Sequence, residues 1–218
     1  TIEEVETLFH EFGHALHGML TRMHYPSVSG TNVARDFVEL PSQINEHWAT
    51  HPEVLKLYAR HYKTGEVIPD SLIEKIERSS KFNQGFATTE FLAAAILDMR
   101  LHELTDYSNF DVRAFEKELA AEIGLPAEIC YRYRSTHFTH IFANDYCAGY
   151  YSYLWAEVLD ADAFDAFVEH GIFDKATADA FRTNILEKGS SEEPMTLYVR
   201  FRGAQPNPDA LLRGRGLK

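Results

Sequence analysis

Residues 1–21 read TIEEVETLFHEFGHALHGMLT, and apolar side chains recur in this stretch at every third or fourth position. In an α-helix, that spacing gathers the side chains on one face. The residues concerned are Val5, Leu8, Phe12, Leu16 and Met19. The stretch is therefore predicted to form an amphipathic helix, and this helix carries His10, Glu11 and His14.

The segment after this helix is predicted to be a loop that leads into a second helix. Residues 23–32 contain Pro26, Gly30 and three Ser or Thr residues, and the glycine permits a close approach of the backbone to its surroundings. The second helix is expected over roughly residues 36–49, with Pro41 near its first turn or at a kink.

Most of the remaining sequence also has helical periodicity, interrupted by glycine and proline residues. Helices are predicted over roughly 52–63, 70–82, 85–106, 110–123, 127–138, 145–158, 161–170, 174–188, 191–202 and 207–213. No convincing alternating strand is present, although a short edge hairpin is compatible with residues 25–33. The predicted class is mainly α, and residues 1–218 are expected to form a single catalytic region.

Composition and charge restrict the expected partners. With 218 residues, 45% hydrophobic and 25% charged, the chain resembles a soluble globular protein. Its formal net charge of −12 would repel polyanions, so neither nucleic acid nor a membrane surface is expected as a partner. Cys130 and Cys147 are too few for a disulfide framework, and idle thiols fit a cytoplasmic location. No apolar run of 18 residues appears and no charged-then-apolar stretch opens the sequence, so the chain is expected to be neither secreted nor membrane-spanning.

His10-Glu11-Phe12-Gly13-His14 is an H-E-x-x-H motif. Residues i and i+4 of a helix project from the same face, so two imidazoles can bind one ion. Zinc takes nitrogen and carboxylate ligands in a tetrahedral shell, and a catalytic site leaves the fourth position for water. Glu11 is placed to take a proton from that water. A shuffled chain of this composition contains the motif with a probability of about 0.05, so two solvent-facing histidines remain an alternative.

A third ligand must come from another segment, because Leu20 stands where metzincins have a third histidine. Glu39 is the strongest candidate, since it follows a loop long enough to turn the chain back and opens an otherwise apolar helix face. A carboxylate on such a face is costly to bury without a cation. Glu46 is the reserve ligand or a partner of a ligand, and His17 is a structural residue rather than a ligand. The ligand types favour zinc without excluding cobalt or manganese.

Three segments resemble the thimet oligopeptidase-like family of zinc metallopeptidases. They are HEFGHALH at residues 10–17, RDFVELPSQINEHW at 35–48 and HIFANDYCAGYYSYLW at 140–155. The similarity covers essentially the whole chain. The longer run FVELPSQINEHWATHPEVLKLYARHY and the closing GRGL are most similar to the bacterial dipeptidyl carboxypeptidase branch.

The resemblance implies one zinc ion bound by His10, His14 and Glu39, with Glu11 as the catalytic base, in agreement with the argument from spacing. It also implies a helical clamshell, of which this chain would form the catalytic side. Because the H-E-x-x-H motif begins only ten residues into the chain, and because family members are considerably longer, we expect the chain to be the C-terminal part of a longer protein that includes an N-terminal half.

The resemblance also gives a role to the tyrosine-rich segment. Tyr146, Tyr150 and Tyr153 are spaced i, i+4 and i+7, which predicts one stripe of a helix and, taken alone, favours core packing. In the family pattern the matching tyrosines face the zinc. This implies that Tyr153 donates a hydrogen bond to the oxyanion, while Tyr150 and Tyr146 bind substrate. His140 matches a family histidine that would hydrogen-bond the substrate or the intermediate.

Two further positions matter for the resemblance. Arg35 matches a family arginine that would contact the peptide or brace Glu39, although an ordinary salt bridge is an equal alternative. Asn144-Asp145 lies in the loop before the tyrosines, where relatives commonly have paired glycines. This difference puts the flexibility of that loop in doubt, whereas Asn and Asp are both suitable helix N-cap residues.

The sequence therefore predicts zinc-dependent hydrolysis of short peptides, with release of C-terminal dipeptides. An endo-oligopeptidase of the same family is the first alternative, because its chemistry is identical. A zinc-binding portion that is inactive without its N-terminal half is the second.

Overall fold

A computed structural model describes residues 1–143 and 145–218. Its α-helices are α1 (Ile2–Leu20), α2 (Leu40–Thr50), α3 (Pro52–Tyr58), α4 (Asp70–Ser80), α5 (Gln84–His102), α6 (Val112–Glu122), α7 (Thr139–Phe142), α8 (Ser152–His170), α9 (Lys175–Phe181), α10 (Pro194–Arg202) and α11 (Asp209–Gly214). A π-helical segment, Arg182–Leu186, follows α9. Within the described ranges, the one β pairing is an isolated bridge between Arg60 and Val67. The predicted mainly α class is confirmed.

The chain divides into two compact units. The first unit comprises residues 1–82 and 154–218, and the second comprises residues 83–153. The first unit has a core built around Leu40, Ile44, Leu159, Phe167, Ile185, Leu197 and Tyr198. The core of the second unit is built around Ala94, Leu97, Leu101, Leu119, Phe138 and Ile141.

Helix α1 begins with a capping box. The Thr1 hydroxyl accepts a hydrogen bond from the Glu4 backbone, and the Glu4 side chain returns to the Thr1 backbone. This arrangement satisfies amide groups that the first turn of a helix leaves without intrahelical partners. The observed span of α1 confirms the helix predicted for residues 1–21.

The contact between α1 and α2 depends on Gly13. A Cβ atom at this position would stand 2.3 Å from the Pro41 carbonyl oxygen and 2.6 Å from the Ser42 Cα. Asn45 adds a specific bond across the same interface, because its side-chain amide donates to the Phe9 carbonyl oxygen over 2.6 Å. The two helices therefore pack backbone to backbone at the H-E-x-x-H motif.

Two features predicted for the segment that leads from α1 into α2 are present in the structure: the close backbone approach at Gly30 and the position of Pro41 in the first turn. Gly30 has φ of +53°, and a Cβ there would stand 3.1 Å from the Gly18 Cα, which confirms the expected close approach. Pro41 lies in the first turn of α2, where its missing N–H costs nothing. The hairpin that residues 25–33 allow is absent, since Pro26–Val28 forms a 3₁₀ turn with side-chain bonds from Ser29 and Asn32 to the Pro26 carbonyl.

Several helix predictions were wrong in extent: the helix expected over 52–63 ends at Tyr58, and the one expected over 36–49 begins only at Leu40. Residues 127–138 contain only a 3₁₀ turn, Ser135–His137, and residues 145–151 form turns rather than the start of a helix. The two helices predicted over 145–158 and 161–170 are replaced by the single helix α8. Asp145 belongs to the turn segment, whereas Asn144 lies outside the described residues, so its expected role as a helix N-cap stays a prediction.

The apolar stripe of α1 is largely exposed. Leu8, Phe12 and Met19 expose 66%, 53% and 65% of their surface. Leu8 and Phe12 border an apolar cavity of about 710 Å³ whose walls also include Ile44, Trp48 and Phe181. The buried positions of α1 are Gly13 and His17 instead.

None of the helices in residues 1–143 and 145–218 combines the length and the apolar character required to cross a membrane.

We predict that Gly13→Ala lowers the free energy of unfolding. The added methyl group would overlap backbone atoms of Pro41 and Ser42, which cannot rotate away as a side chain can. Overpacking of this kind costs about 1–3 kcal/mol or more. Thermal denaturation followed by circular dichroism would measure the loss.

Gly18→Ala is the matched control on the same helix, because nothing lies within 4 Å of a Cβ at that position. Alanine in a helix is more favourable than glycine by roughly 0.5–1 kcal/mol, so this variant should be as stable as the parent or more so. Equal destabilisation by the two substitutions would contradict the close contact at Gly13.

Candidate metal centre and tyrosine cluster

The structure brings His10, His14 and Glu39 together in the first unit. The two imidazoles lie one turn apart on α1 with ring centroids 4.9 Å apart and an interplanar angle of 86°. Glu39 is the residue immediately before α2, and its backbone is already helical. Its Oε2 atom lies 3.4 Å from His10 Nε2 and 3.2 Å from His14 Nε2. These three residues form a group of candidate metal ligands whose ligand atoms lie within 4.8 Å of one another.

These separations fit a tetrahedral ion. Bonds of about 2.0–2.1 Å to a central zinc place neighbouring ligand atoms roughly 3.3 Å apart along the edges of the tetrahedron. The two nitrogen–oxygen distances of 3.4 and 3.2 Å match those edges. Two imidazoles and one carboxylate are also a ligand set that catalytic zinc uses.

The Glu39 carboxylate is buried and held in place. Its side chain is only 5% exposed, and the Ser42 hydroxyl donates to Oε2 over 2.8 Å. A buried carboxylate is costly unless a cation or hydrogen bonds compensate its charge. The arrangement therefore favours a cation beside Oε2.

His10 lies between two carboxylates. Its Nε2 faces Glu39, while its Nδ1 is 2.6 Å from Oε1 of Glu46. Burial by itself lowers the pKa of His10, but hydrogen bonding to Glu39 and Glu46 raises that pKa to about 10. The centre thus has a strongly negative potential that attracts positive charge. Glu46 therefore contacts Nδ1 of His10, the ring nitrogen opposite the candidate ligand atom Nε2. Glu46 does not belong to the group of three candidate metal ligands.

The other motif residues occupy distinct environments. Glu11 is exposed on α1, between the two histidines in sequence, where its carboxylate is accessible to water. Arg35 is half-buried in the turn that precedes Glu39. His17 is completely buried, and burial lowers its pKa to about 4, so it is neutral. The structure places His17 outside the group of candidate ligands, as expected.

In the second unit, the predicted tyrosines and His140 lie together, although the three tyrosines do not lie on one helix as expected. Tyr146 and Tyr150 lie in the turn segment and Tyr153 lies in α8, so the predicted helical stripe is wrong. The rings nevertheless cluster: Tyr146 stacks on Tyr153 at 4.9 Å, and Tyr150 meets Tyr153 at 5.7 Å. His140 Nε2 lies 2.7 Å from the Tyr153 hydroxyl. Burial raises the pKa of Tyr150 to about 12, so its phenol keeps its proton.

A buried carboxylate from α5 holds this segment. Asp98 is 0% exposed, and its two oxygens accept hydrogen bonds from the backbone N–H groups of Ala148, over 3.0 Å, and Tyr150, over 2.8 Å. Ala148 has φ of +52°, which is unfavourable for an L-residue and requires support from its surroundings. Asp98 provides that support, and it thereby positions Tyr150.

Ser42 and Asp98 were not predicted from the sequence as parts of these sites, although each gives a weak signal there. Ser42 stands three residues after Glu39, a spacing at which a hydroxyl can reach back to the preceding turn. Asp98 lies between Leu97 and Met99 in an apolar run, where a carboxylate indicates a buried partner. Neither signal identifies the partner, because the contacts of Asp98 come from residues about 50 positions away.

The site combines an H-E-x-x-H helix with a buried glutamate immediately before the next helix. This combination is typical of metal-dependent peptidases. Sequence comparison specifies the family: the model of peptidase family M3 matches residues 1–217. The chain belongs to peptidase family M3, which confirms the resemblance seen in its motifs.

Individual relatives agree with this assignment. The chain is 48% identical over 221 residues to dipeptidyl carboxypeptidase of Escherichia coli (strain K12), covering 99% of this chain and 32% of that protein. It is 45% identical over 223 residues to oligopeptidase A of the same strain, covering 100% and 32%. It is 36% identical over 200 residues to mitochondrial intermediate peptidase of Saccharomyces cerevisiae (strain YJM789), covering 88% and 25%. The chain thus spans about a third of the length of the first two relatives.

We predict that Asp98→Asn loosens the segment that carries Tyr150. The amide can offer only one oxygen, and its NH₂ group would face a backbone N–H, so one buried donor would lose its acceptor. Such a loss costs about 1–3 kcal/mol. Hydrogen exchange at the amides of Ala148 and Tyr150 should accelerate, and mass spectrometry of peptic fragments would measure it.

Asp111→Asn makes the same substitution at another carboxylate that accepts two backbone N–H bonds, from Arg113 and Ala114. Asp111 is an exposed N-cap, where asparagine serves as well as aspartate, so stability should hardly change. Unchanged exchange in Asp98→Asn would show that the Asp98 carboxylate does not hold the segment.

Proposed function

We propose that this chain is the catalytic portion of a zinc metallopeptidase that cleaves short peptides and releases C-terminal dipeptides. The observation that carries the proposal is the position of Glu39 Oε2, which lies 3.4 Å from His10 Nε2 and 3.2 Å from His14 Nε2, separations that suit ligand atoms of one tetrahedral zinc ion. Membership of peptidase family M3 and the similarity to a dipeptidyl carboxypeptidase support peptide hydrolysis as the reaction.

In this mechanism, His10, His14 and Glu39 would hold one zinc ion. When bound, the ion would supply Lewis-acid chemistry, which acidifies a water molecule and polarises a peptide carbonyl. Glu11 takes a proton from the water and transfers it to the leaving amine. The exposure of Glu11 supports this role, since its carboxylate is accessible to water and substrate.

The tyrosine cluster supplies the remaining groups in this proposal. The Tyr153 hydroxyl donates to the oxyanion that forms when water attacks the carbonyl. His140, at 2.7 Å from that hydroxyl, orients it or hydrogen-bonds the intermediate. Tyr150 and Tyr146 bind substrate, and Arg35 contacts the peptide or braces Glu39. These roles rest on the family resemblance together with the clustering of the four side chains in the second unit.

We expect Glu11→Gln to keep bound zinc and lose nearly all turnover. The amide preserves the shape of the side chain but cannot take the proton, and general-base catalysis contributes about 10²–10⁴-fold. Metal analysis and steady-state peptide hydrolysis would measure the two properties. Glu3→Gln, an exposed substitution in the first turn of the same helix, should leave both unchanged. A Glu11→Gln variant that keeps a tenth of the parental rate would contradict the role of Glu11 as the catalytic base.

Tyr153→Phe should lower kcat more than it raises KM. Removal of one donor to a developing oxyanion typically costs about 10²–10³-fold in kcat, whereas the aromatic ring and its packing remain. Steady-state kinetics on one short peptide would measure both constants, with Tyr107→Phe as the exposed control in the second unit. A variant that changes KM alone would assign Tyr153 to substrate binding.

The position of cleavage is tested with paired peptides that differ only in a free or amidated C-terminus. Identities of 48% to a dipeptidyl carboxypeptidase and 45% to an oligopeptidase are too close to separate the two activities. Mass spectrometry of the zinc-loaded digest, with a chelator control, should show dipeptides released from the free peptides only. Equal cleavage of the amidated peptides would favour the endo-oligopeptidase.

A second candidate is a zinc-binding portion that hydrolyses peptides only with the remainder of a longer protein. The exposed apolar stripe of α1 favours it, because soluble monomers rarely leave large apolar patches uncovered. Strong fluorescence of an apolar dye with no peptide cleavage would support this candidate. The second candidate would be established if cleavage recovered after addition of the part of Escherichia coli dipeptidyl carboxypeptidase that precedes the matched region.

A further inference from the structure

Glu46 is placed to control a metal ligand without binding the metal. Its Oε1 atom lies 2.6 Å from His10 Nδ1, which is the ring nitrogen opposite the candidate ligand atom Nε2. Glu39 and Glu46 are seven residues apart, which is close to two helical turns, so both project from the same side of α2. The helix therefore presents one carboxylate to each nitrogen of the same imidazole.

This contact fixes the chemical form of His10. When Nδ1–H donates to Glu46, the lone pair of the neutral ring must be on Nε2, where a metal ligand needs it. The bond also fixes the rotation of the ring and increases the basicity of Nε2. His14 differs, since its buried Nδ1 has no hydrogen-bond partner among the residues that the structure describes.

We propose that Glu46 is the positioning residue for the metal ligand His10, and that α2 thus orients one imidazole of the centre through Glu46 while it supplies Glu39 as a ligand. This inference rests on the proposed function only in requiring that His10, His14 and Glu39 bind zinc. The competing explanation is that Glu46 merely adds negative charge near the centre.

Glu6 separates these explanations. It lies one turn before His10 on α1 and is close enough to Glu46 for the two charges to interact. The structure gives it no bond to His10, so Glu6→Gln removes a neighbouring charge and leaves the Nδ1 contact intact. Two substitutions at Glu46 complete the comparison: Glu46→Gln retains an oxygen that can accept from Nδ1–H, whereas Glu46→Ala removes both the acceptor and the charge.

The experiment is a zinc titration of the purified chain in competition with a chromophoric chelator, combined with circular dichroism to establish that each variant is folded. We expect Glu46→Ala to weaken zinc binding by about 10–100-fold, as loss of such partners does elsewhere, with Glu46→Gln intermediate. Glu6→Gln should change the affinity by less than about threefold. The imidazole Nδ1–H resonance of His10 in the zinc-loaded chain should be present in the parent and in Glu6→Gln, and absent in Glu46→Ala.

The outcomes are distinct. If the parent chain does not bind zinc, the proposed metal centre itself fails. If the parent binds zinc and Glu46→Ala binds it equally well, the centre stands and the positioning role of Glu46 is overturned. If Glu6→Gln weakens binding as much as Glu46→Ala does, general charge explains the effect, and the positioning role is likewise overturned.

Discussion

The backbones of α1 and α2 meet at Gly13, where no side chain separates the two helices. This contact determines how far the imidazoles of α1 stand from the carboxylates of α2. Any larger residue would move the helices apart, and Glu39 Oε2, which now lies 3.4 and 3.2 Å from the Nε2 atoms of His10 and His14, would lose the spacing that one ion requires. The glycine inside the motif is thus a geometric requirement of the centre.

Negative charge is concentrated around this contact. Glu39 is buried, Glu46 bonds His10, and both favour a proton on that imidazole when no cation is present. A divalent ion would compete with that proton for the same position, because a metal ligand must be deprotonated. The buried carboxylate of Glu39 thus provides both a ligand atom and part of the attraction for the ion.

Local features of the structure could be predicted from the sequence where one segment contains all the information. The capping box, the i and i+4 histidines and Pro41 in the first turn of α2 are of this kind. The candidate ligand Glu39 could also be found, because a carboxylate at the start of an apolar helix face needs a cation.

The features that could not be predicted depend on partners distant in the sequence. The break predicted between residues 158 and 161 is absent, and within the continuous helix α8 the side chains of Asp160 and Asp162 hydrogen-bond with His47 and Tyr198, which lie 113 and 36 positions away in the sequence. Residues 145–151 have helical spacing, yet Asp98 holds them in turns that include Ala148 at positive φ. In the turn segment, residues 145–151, tertiary hydrogen bonds from Asp98 override the local helical periodicity.

The helical geometry of α2 limits how this region can change in evolution. Glu39, Ser42, Asn45 and Glu46 each depend on their phase along one helix. Inserting a single residue among them would rotate the later side chains by about 100°, and inserting a whole turn would displace them by about 5.4 Å. Divergence between residues 39 and 46 is therefore confined to replacement of side chains, whereas changes in length can accumulate in the surface loops that connect the other helices.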